Sequence, residues 1–207
     1  MKKILFTIAA IALCLCCLAQ DDIKLPEPEK KGGMTLNEAL MSRKTNRTFD
    51  SKELSLQEIS NLLWAANGIN RMDGKRTAPS ARNAQEIDVY VAMKSGLYRY
   101  EANDNALRII STKDQRHQMS QRPQMIEEAP IALIFYANYD KMKNFDDASK
   151  EFYGATDAGF VSQNVYLYCA AHNLNTVVMG YIDRDAIRQM IDVDGKAILV
   201  QPVGYPK

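Results

Sequence analysis

The sequence predicts a single α+β domain on a largely antiparallel or mixed sheet, and three observations carry that prediction. Two N-terminal capping boxes, Thr35 with Glu38 and Ser55 with Glu58, announce helices near the front of the chain. Between Ile87 and Ile110, alternating runs rich in Val and Tyr follow one another with only turn residues between them. Later elements mix helix and strand without strict βαβ alternation, which argues against an all-parallel sheet. At 207 residues the chain makes one domain of ordinary size with a substantial core.

The elements follow in order. Lys2 and Lys3 precede an apolar run from Ile4 to Leu18 that is short for a membrane span, so residues 1–19 read as a signal peptide cleaved after Ala19. Cys14, Cys16 and Cys17 raise the alternative of a lipidated cysteine. Leu13, Leu15 and Cys16 fit poorly as the small residue such a signal places before it, which disfavours that alternative. The expected location is the periplasm or cell envelope, with no integral membrane segment in the mature chain. Residues 20–33 are polar, carry Pro26 and Pro28, and end in Lys30-Lys31-Gly32-Gly33, a composition that predicts a flexible, extended leader.

The domain proper spans 34–207. Its first helix is expected to turn Leu36, Ala39 and Leu40 inward, and its second Ile59, Leu62, Leu63 and Ala66. Strands are expected at Ile87 to Met93, Leu97 to Tyr100 and Leu107 to Ile110, the last two joined as a hairpin by Asn103-Asp104-Asn105. Thr112 to Glu128 is charged and reads as a mobile, partly exposed helix. Ile131 to Ala137 is an apolar strand. Gly159 to His172 has helical apolar spacing and almost no charge, which predicts a central buried helix. A short strand from Thr176 to Met179, a helix capped by Asp183 with Ile187, Met190 and Ile191 inward, and a strand from Ala197 to Val203 complete the chain.

Composition narrows the function classes. Lys and Arg number 26 against 25 Asp and Glu, a balance that suggests no nucleic-acid or membrane-surface partner. With the signal removed, Cys169 is the only thiol, so no internal disulfide is available. It reads as a core residue. His117 and His172 lack a carboxylate or second histidine at ligand spacing, and no metal site is expected. Neither a P-loop nor a G-x-G-x-x-G follows a strand.

Three separated segments stand out. Ser42 to Phe49 gathers Arg43, Lys44 and Arg47 with hydroxyls among them; guanidinium groups clamp phosphate, although a solvated helix end would look similar. Arg76 to Gln85 joins the second helix to the first long strand through small and amide side chains, suited to the edge of a flat heterocycle or to an ordinary polar loop. Val178-Met179-Gly180-Tyr181 ends a strand in a glycine, where backbone N–H groups approach a ligand closely.

Arg43-Lys44-Thr45-x-Arg47-x-Phe49 is similar to the opening R-R-S-x-R-x-F/Y motif of the nitroreductase superfamily, and Pro79-Ser80-Ala81-x-Asn83-x-Gln85 resembles its P-S-x-x-N-x-Q flavin loop. Gly159 to Gly180, with Gln163-Asn164 and Val178-Met179-Gly180, looks like its central helix and flavin-edge strand. Gly96 to Tyr100, Leu107 and the closing Pro202-Val203-Gly204-Tyr205-Pro206 resemble the SagB-type branch, which oxidises azolines in modified peptides.

The resemblance implies an α+β sandwich with flavin mononucleotide (FMN) at a homodimer interface. It implies that Arg43, Lys44, Thr45 and Arg47 hold the phosphate, ribityl and pyrimidine side, that Pro79, Ser80, Asn83 and Gln85 line the ring, and that Met179 and Gly180 present a backbone N–H near flavin N5. Lys207 is an additional candidate for the phosphate. Arg82 stands where the branch has glycine, and Asn173 and Asn175 replace family glycines. The implied activity is two-electron transfer between flavin and a small conjugated nitro, quinone or azoline compound. A non-catalytic FMN carrier or sensor, or an envelope protein without flavin, remains the alternative. No catalytic acid or base is assigned.

Overall fold

The computed structural model describes residues 22–207; the expected signal peptide lies outside them. Seven strands form one sheet, antiparallel at every pairing, in the order β1-β4-β3-β2-β5-β7-β6. They are β1 (Ile23–Lys24), β2 (Ile87–Met93), β3 (Gly96–Glu101), β4 (Ala106–Ser111), β5 (Ile131–Asn138), β6 (Asn175–Thr176) and β7 (Gly195–Gly204). The helices are α1 (Leu36–Ser42), α2 (Leu56–Asn67), α3 (Gln124–Glu128), α4 (Asp147–Ala171) and α5 (Arg184–Ile191). No described helix is long and apolar enough to cross a membrane.

Strand β5 is buried along its whole length because helices cover both faces of the sheet. Ile131, Leu133, Phe135 and Ala137 point into one core with Ile59, Leu62, Leu63 and Ala66 of α2 and Ala158, Val161, Val165 and Cys169 of α4. Ala132, Ile134 and Tyr136 point into the other, with Ile126, Ile187 and Ile191. Period-two side-chain alternation thus feeds two hydrophobic layers from one strand. Both capping boxes form as expected, and Asp183 caps α5. The β3–β4 hairpin turns at Asn105, whose φ of 45° is one that Asn tolerates.

The structure corrects four expectations. The leader is not flexible from Asp22 onward: Ile23–Lys24 pairs with β4, Leu25 is buried, and the Pro26 carbonyl accepts from Ser60 Oγ and Asn105 Nδ2. Composition was a poor guide here, since the open edge of β4 offers this polar segment backbone partners. Helix α1 buries only Ala39, and Leu36 and Leu40 face solvent.

The stretch from Thr112 to Glu128 is a 3-10 turn and the short α3 rather than one mobile helix. Arg116 is buried there, donating to both Asp114 carboxylate oxygens and to the Glu127 and Ala129 carbonyls. Finally, the central helix begins twelve residues before Gly159, at Asp147 with Asp146 as its cap; its first two turns bury no side chain, and Phe152 there is exposed, so they carry no apolar stripe to read. Gly154 lets it approach β5, since a Cβ there would lie 2.9 Å from that of Ala137.

Glu86 and Asp157 are buried acids facing one another. Burial, and then the neighbouring Asp157, push the Glu86 carboxyl from its ordinary 4.5 up to about 8. Between these values the folded chain holds a proton that the unfolded chain has released, so this group lowers stability as pH rises.

Two outcomes are expected. Leu25→Ala should cost about 2–4 kcal/mol of unfolding free energy, measured by urea denaturation; a change below about 0.5 kcal/mol would mean the amino-terminal strand is not anchored. Across the window from 4.5 to about 8, wild type should lose stability relative to Glu86→Gln, by at most about 1.4 kcal/mol per pH unit. Parallel stability–pH curves would contradict this.

Candidate functional site

Helix α1 ends at Arg43, whose N–H still bonds the Ala39 carbonyl, and the chain then runs extended and irregular to Phe49. An irregular arm needs partners for its backbone, and α4 and β6 supply them. Asn46 N–H donates to the Thr176 carbonyl at 3.0 Å. Asn175 Nδ2 donates to the Thr48 carbonyl at 2.8 Å, while its Oδ1 accepts from Asn46 Nδ2 at 2.7 Å. Phe49 is buried and anchors the far end.

Tyr166 of α4 is the junction. Its hydroxyl accepts from Val178 N–H at 3.0 Å and lies 3.0 Å from Thr45 Oγ1, so the first and third segments meet on one phenol. The Arg43 guanidinium lies over the same ring, 5.3 Å from its centre. A groove of about 240 Å³ opens beside it, lined by Ser42, Lys44, Asn46, Tyr166, Asn173 and Asn175. Arg43, Lys44 and Arg47 have no carboxylate partner among the described residues. Uncompensated positive charge along the arm is what a phosphate dianion requires.

In the third segment, Met179 exchanges two backbone hydrogen bonds with Val200, at 2.7 and 3.0 Å. Its N–H is therefore committed to the sheet, which corrects the expectation that Met179 offers it to a ligand. Gly180 is exposed, and its N–H has no acceptor among the described residues. Of the pair, Gly180 is the available donor.

The loop from Pro79 to Gln85, which the resemblance assigns to a flavin ring (the ring-side loop), sits elsewhere. Ala81 N–H donates to Asp157 Oδ2 at 2.8 Å, and Asp157 precedes Tyr166 by nine residues on α4. Two and a half helical turns put them on opposite sides of the helix and about 14 Å apart along it. Arg82, Asn83 and Gln85 all have positive φ, at 52°, 56° and 50°. At Arg82 that is a conformation glycine adopts without strain and a long side chain does not. The Arg82 guanidinium lies over Phe145, 4.9 Å from the ring centre.

Ser80 Oγ accepts from Gln85 N–H. The Gln85 side chain is held by Arg76 Nε and the Gly74 carbonyl, so both residues shape the loop, while Pro79 and Asn83 face outward. Lys207 lines another cleft, among Asp50, Glu53, Glu127 and Glu128, where carboxylates oppose a phosphate. Asn173 takes the left-handed conformation expected after a helix, with φ 53°.

Tyr166 is the functional candidate that sequence reading passed over. A tyrosine on the buried face of an otherwise apolar helix was the available signal, since its hydroxyl requires a partner. Tyr136 shows the other outcome, its hydroxyl capping the Val193 carbonyl inside the core.

Known proteins resemble the chain over most of its length. A protein of Methanocaldococcus jannaschii named as a nitroreductase is 29% identical over 192 residues, covering 88% of this chain and 96% of its own length. A crystal structure from Ralstonia eutropha, also named as a nitroreductase, matches with TM-score 0.85 and 38% identity over 90% of each chain. One from Staphylococcus epidermidis, named as an NAD(P)H:FMN oxidoreductase, shares the fold at TM-score 0.63 and 15% identity, over 86% of this chain and 90% of its own. The Nitroreductase family matches from residue 40 to residue 205, across the arm, the ring-side loop and the central helix, and the chain belongs to that family.

Proposed function

We propose that this protein is an exported FMN-dependent oxidoreductase that works as a homodimer on a small conjugated organic substrate of the nitro, quinone or azoline type. The observation that carries the cofactor is the set of uncompensated cations at Arg43, Lys44 and Arg47, tied through Tyr166 to the strand end that carries the free Gly180 N–H. The Staphylococcus epidermidis protein, whose name includes FMN, supports the same choice. Bound there, FMN would supply two-electron redox chemistry at its ring.

The chain's own residues then divide the work. Arg43, Lys44 and Arg47 bind the phosphate, Thr45 orients the arm through Tyr166, and Gly180 donates toward the ring edge. Pro79 and Asn83 face the ring from the loop that Ser80 and Gln85 shape.

The placement of the segments supports a dimer. One protomer joins the arm to Gly180 on one side of α4 and holds the ring-side loop on the other, so a second copy is needed to bring a loop to each arm. The exposed apolar face of Met34, Leu36, Leu40 and Met41 supports such an interface. Gly96 to Tyr100 and Pro202 to Pro206 lean the reading toward the SagB-type branch. Export rests on the amino-terminal residues 1–19. The Arg82 side chain, turned onto Phe145, gives no support to a carrier without turnover.

Arg43→Ala and Arg47→Ala should each weaken FMN binding by about 1.5–3 kcal/mol, read by fluorescence titration; unchanged dissociation constants in both would overturn the phosphate assignment. Leu40→Asp should shift the protein to monomer in sedimentation and lower its FMN content, and a variant that stays dimeric and yellow would sink the proposed interface. If the protein works where nicotinamides are scarce, anaerobic NADH or NADPH should bleach the loaded protein slowly. Rapid bleaching at micromolar donor would contradict that placement.

A further inference from the structure

We propose that Glu86 is a positioning residue: as a neutral acid beside Asp157 it latches the ring-side loop from Pro79 to Gln85 onto α4, and the latch opens when that acid loses its proton. The proposal deepens the functional reading above, on which the loop's role toward flavin rests.

Glu86 is the first residue after the loop, completely buried, and as a carboxylate neither of its oxygens has a donor among the described residues. Leaving two anionic oxygens buried and unpartnered is expensive, whereas a protonated carboxyl needs only one acceptor. The Asp157 carboxylate is that acceptor: it is also buried, and its influence on Glu86 ranks next after burial itself. The same Asp157 receives the Ala81 N–H, so the acid and the loop share one anchor.

The other charges nearby are already engaged. Lys141, in the turn after β5, bonds Asp88 Oδ1 of β2 at 2.5 Å and the Gln85 carbonyl at 3.2 Å. Arg76, on the approach to the loop, donates to Gln85 Oε1 and to the Asn67 carbonyl at the end of α2. Burial, and then the adjoining Asp157, therefore favour the protonated form of Glu86. With that proton the acid donates to Asp157 and holds it toward Ala81. Without it, two like charges meet in the core and Asp157 is driven from the Ala81 N–H. The loop is poised to respond, because Arg82, Asn83 and Gln85 occupy left-handed conformations that persist only while surrounding bonds enforce them.

The test is amide hydrogen exchange at Ala81 in the flavin-free chain, expressed as a protection factor at about pH 7 and about pH 9, paired with FMN dissociation constants in the same buffers. In wild type, protection at Ala81 and FMN affinity should both fall by about tenfold across that range, following the loss of the neutral acid. Glu86→Gln keeps a donor toward Asp157 that does not titrate, and should show neither change. Should that variant fail to fold, Asp157→Asn serves in its place: its amide satisfies both Glu86 and Ala81, and its profile should also be flat.

Protection that is independent of pH in wild type, or equally pH-dependent in the folded conservative variant, would overturn the latch. A pH-dependent Ala81 that is flattened by the variant, in a chain that binds no FMN at either pH, would instead uphold the latch and refute the functional reading.

Discussion

Helix α4 must lie flat against the centre of the sheet, and most other features of the molecule depend on that contact. Ala158, Val161, Val165 and Cys169 lie at helical spacing along its buried face and meet Leu133, Phe135 and Ala137 of β5. Gly154 removes the side chain where a Cβ would crowd Ala137. Once this face is buried, the flanks of the helix are set, and the flanks carry the polar residues that matter: Asp157 on one side, Tyr166 on the other. Had the helix rotated by one residue, neither would reach the loop it now holds.

The two irregular segments of the site are possible because α4, β6 and side chains of the loop itself complete their hydrogen bonding. A chain from Arg43 to Phe49 without regular structure leaves donors and acceptors that water or side chains must satisfy. Asn175, Thr176 and Tyr166 do so here, and Asp157, Ser80 and Arg76 do the same for the ring-side loop. Each such bond contributes only about 0.5–1.5 kcal/mol, but together they hold residues in conformations that the chain alone would not choose.

Charge is arranged unevenly. Arg99, Arg108 and Arg116 each pair with a carboxylate, whereas Arg43, Lys44 and Arg47 are left uncompensated in the arm. Pairing at the first set serves the fold. Its lack at the second leaves a local field that an anionic ligand would neutralise. Burial does the reverse at Glu86, where desolvation, and then the neighbouring Asp157, push the carboxyl toward its neutral form.

What the sequence by itself determined was whatever depends on near neighbours. The capping boxes at Thr35 and Ser55, the hairpin turning at Asn105, the alternation of β2 and the left-handed Asn173 all follow from residues within a few positions of one another. The three site segments were legible as motifs for the same reason. Only the tertiary structure decided which of them meet: Thr45 and Val178 come together through Tyr166, more than a hundred residues from Thr45, while the ring-side loop is held across the helix. It also decided that Leu25 is core while Leu36 and Leu40 are surface, and that the Met179 N–H belongs to β7 and the Gly180 N–H does not. Those outcomes rest on burial and on partners distant in the chain, which local spacing does not encode.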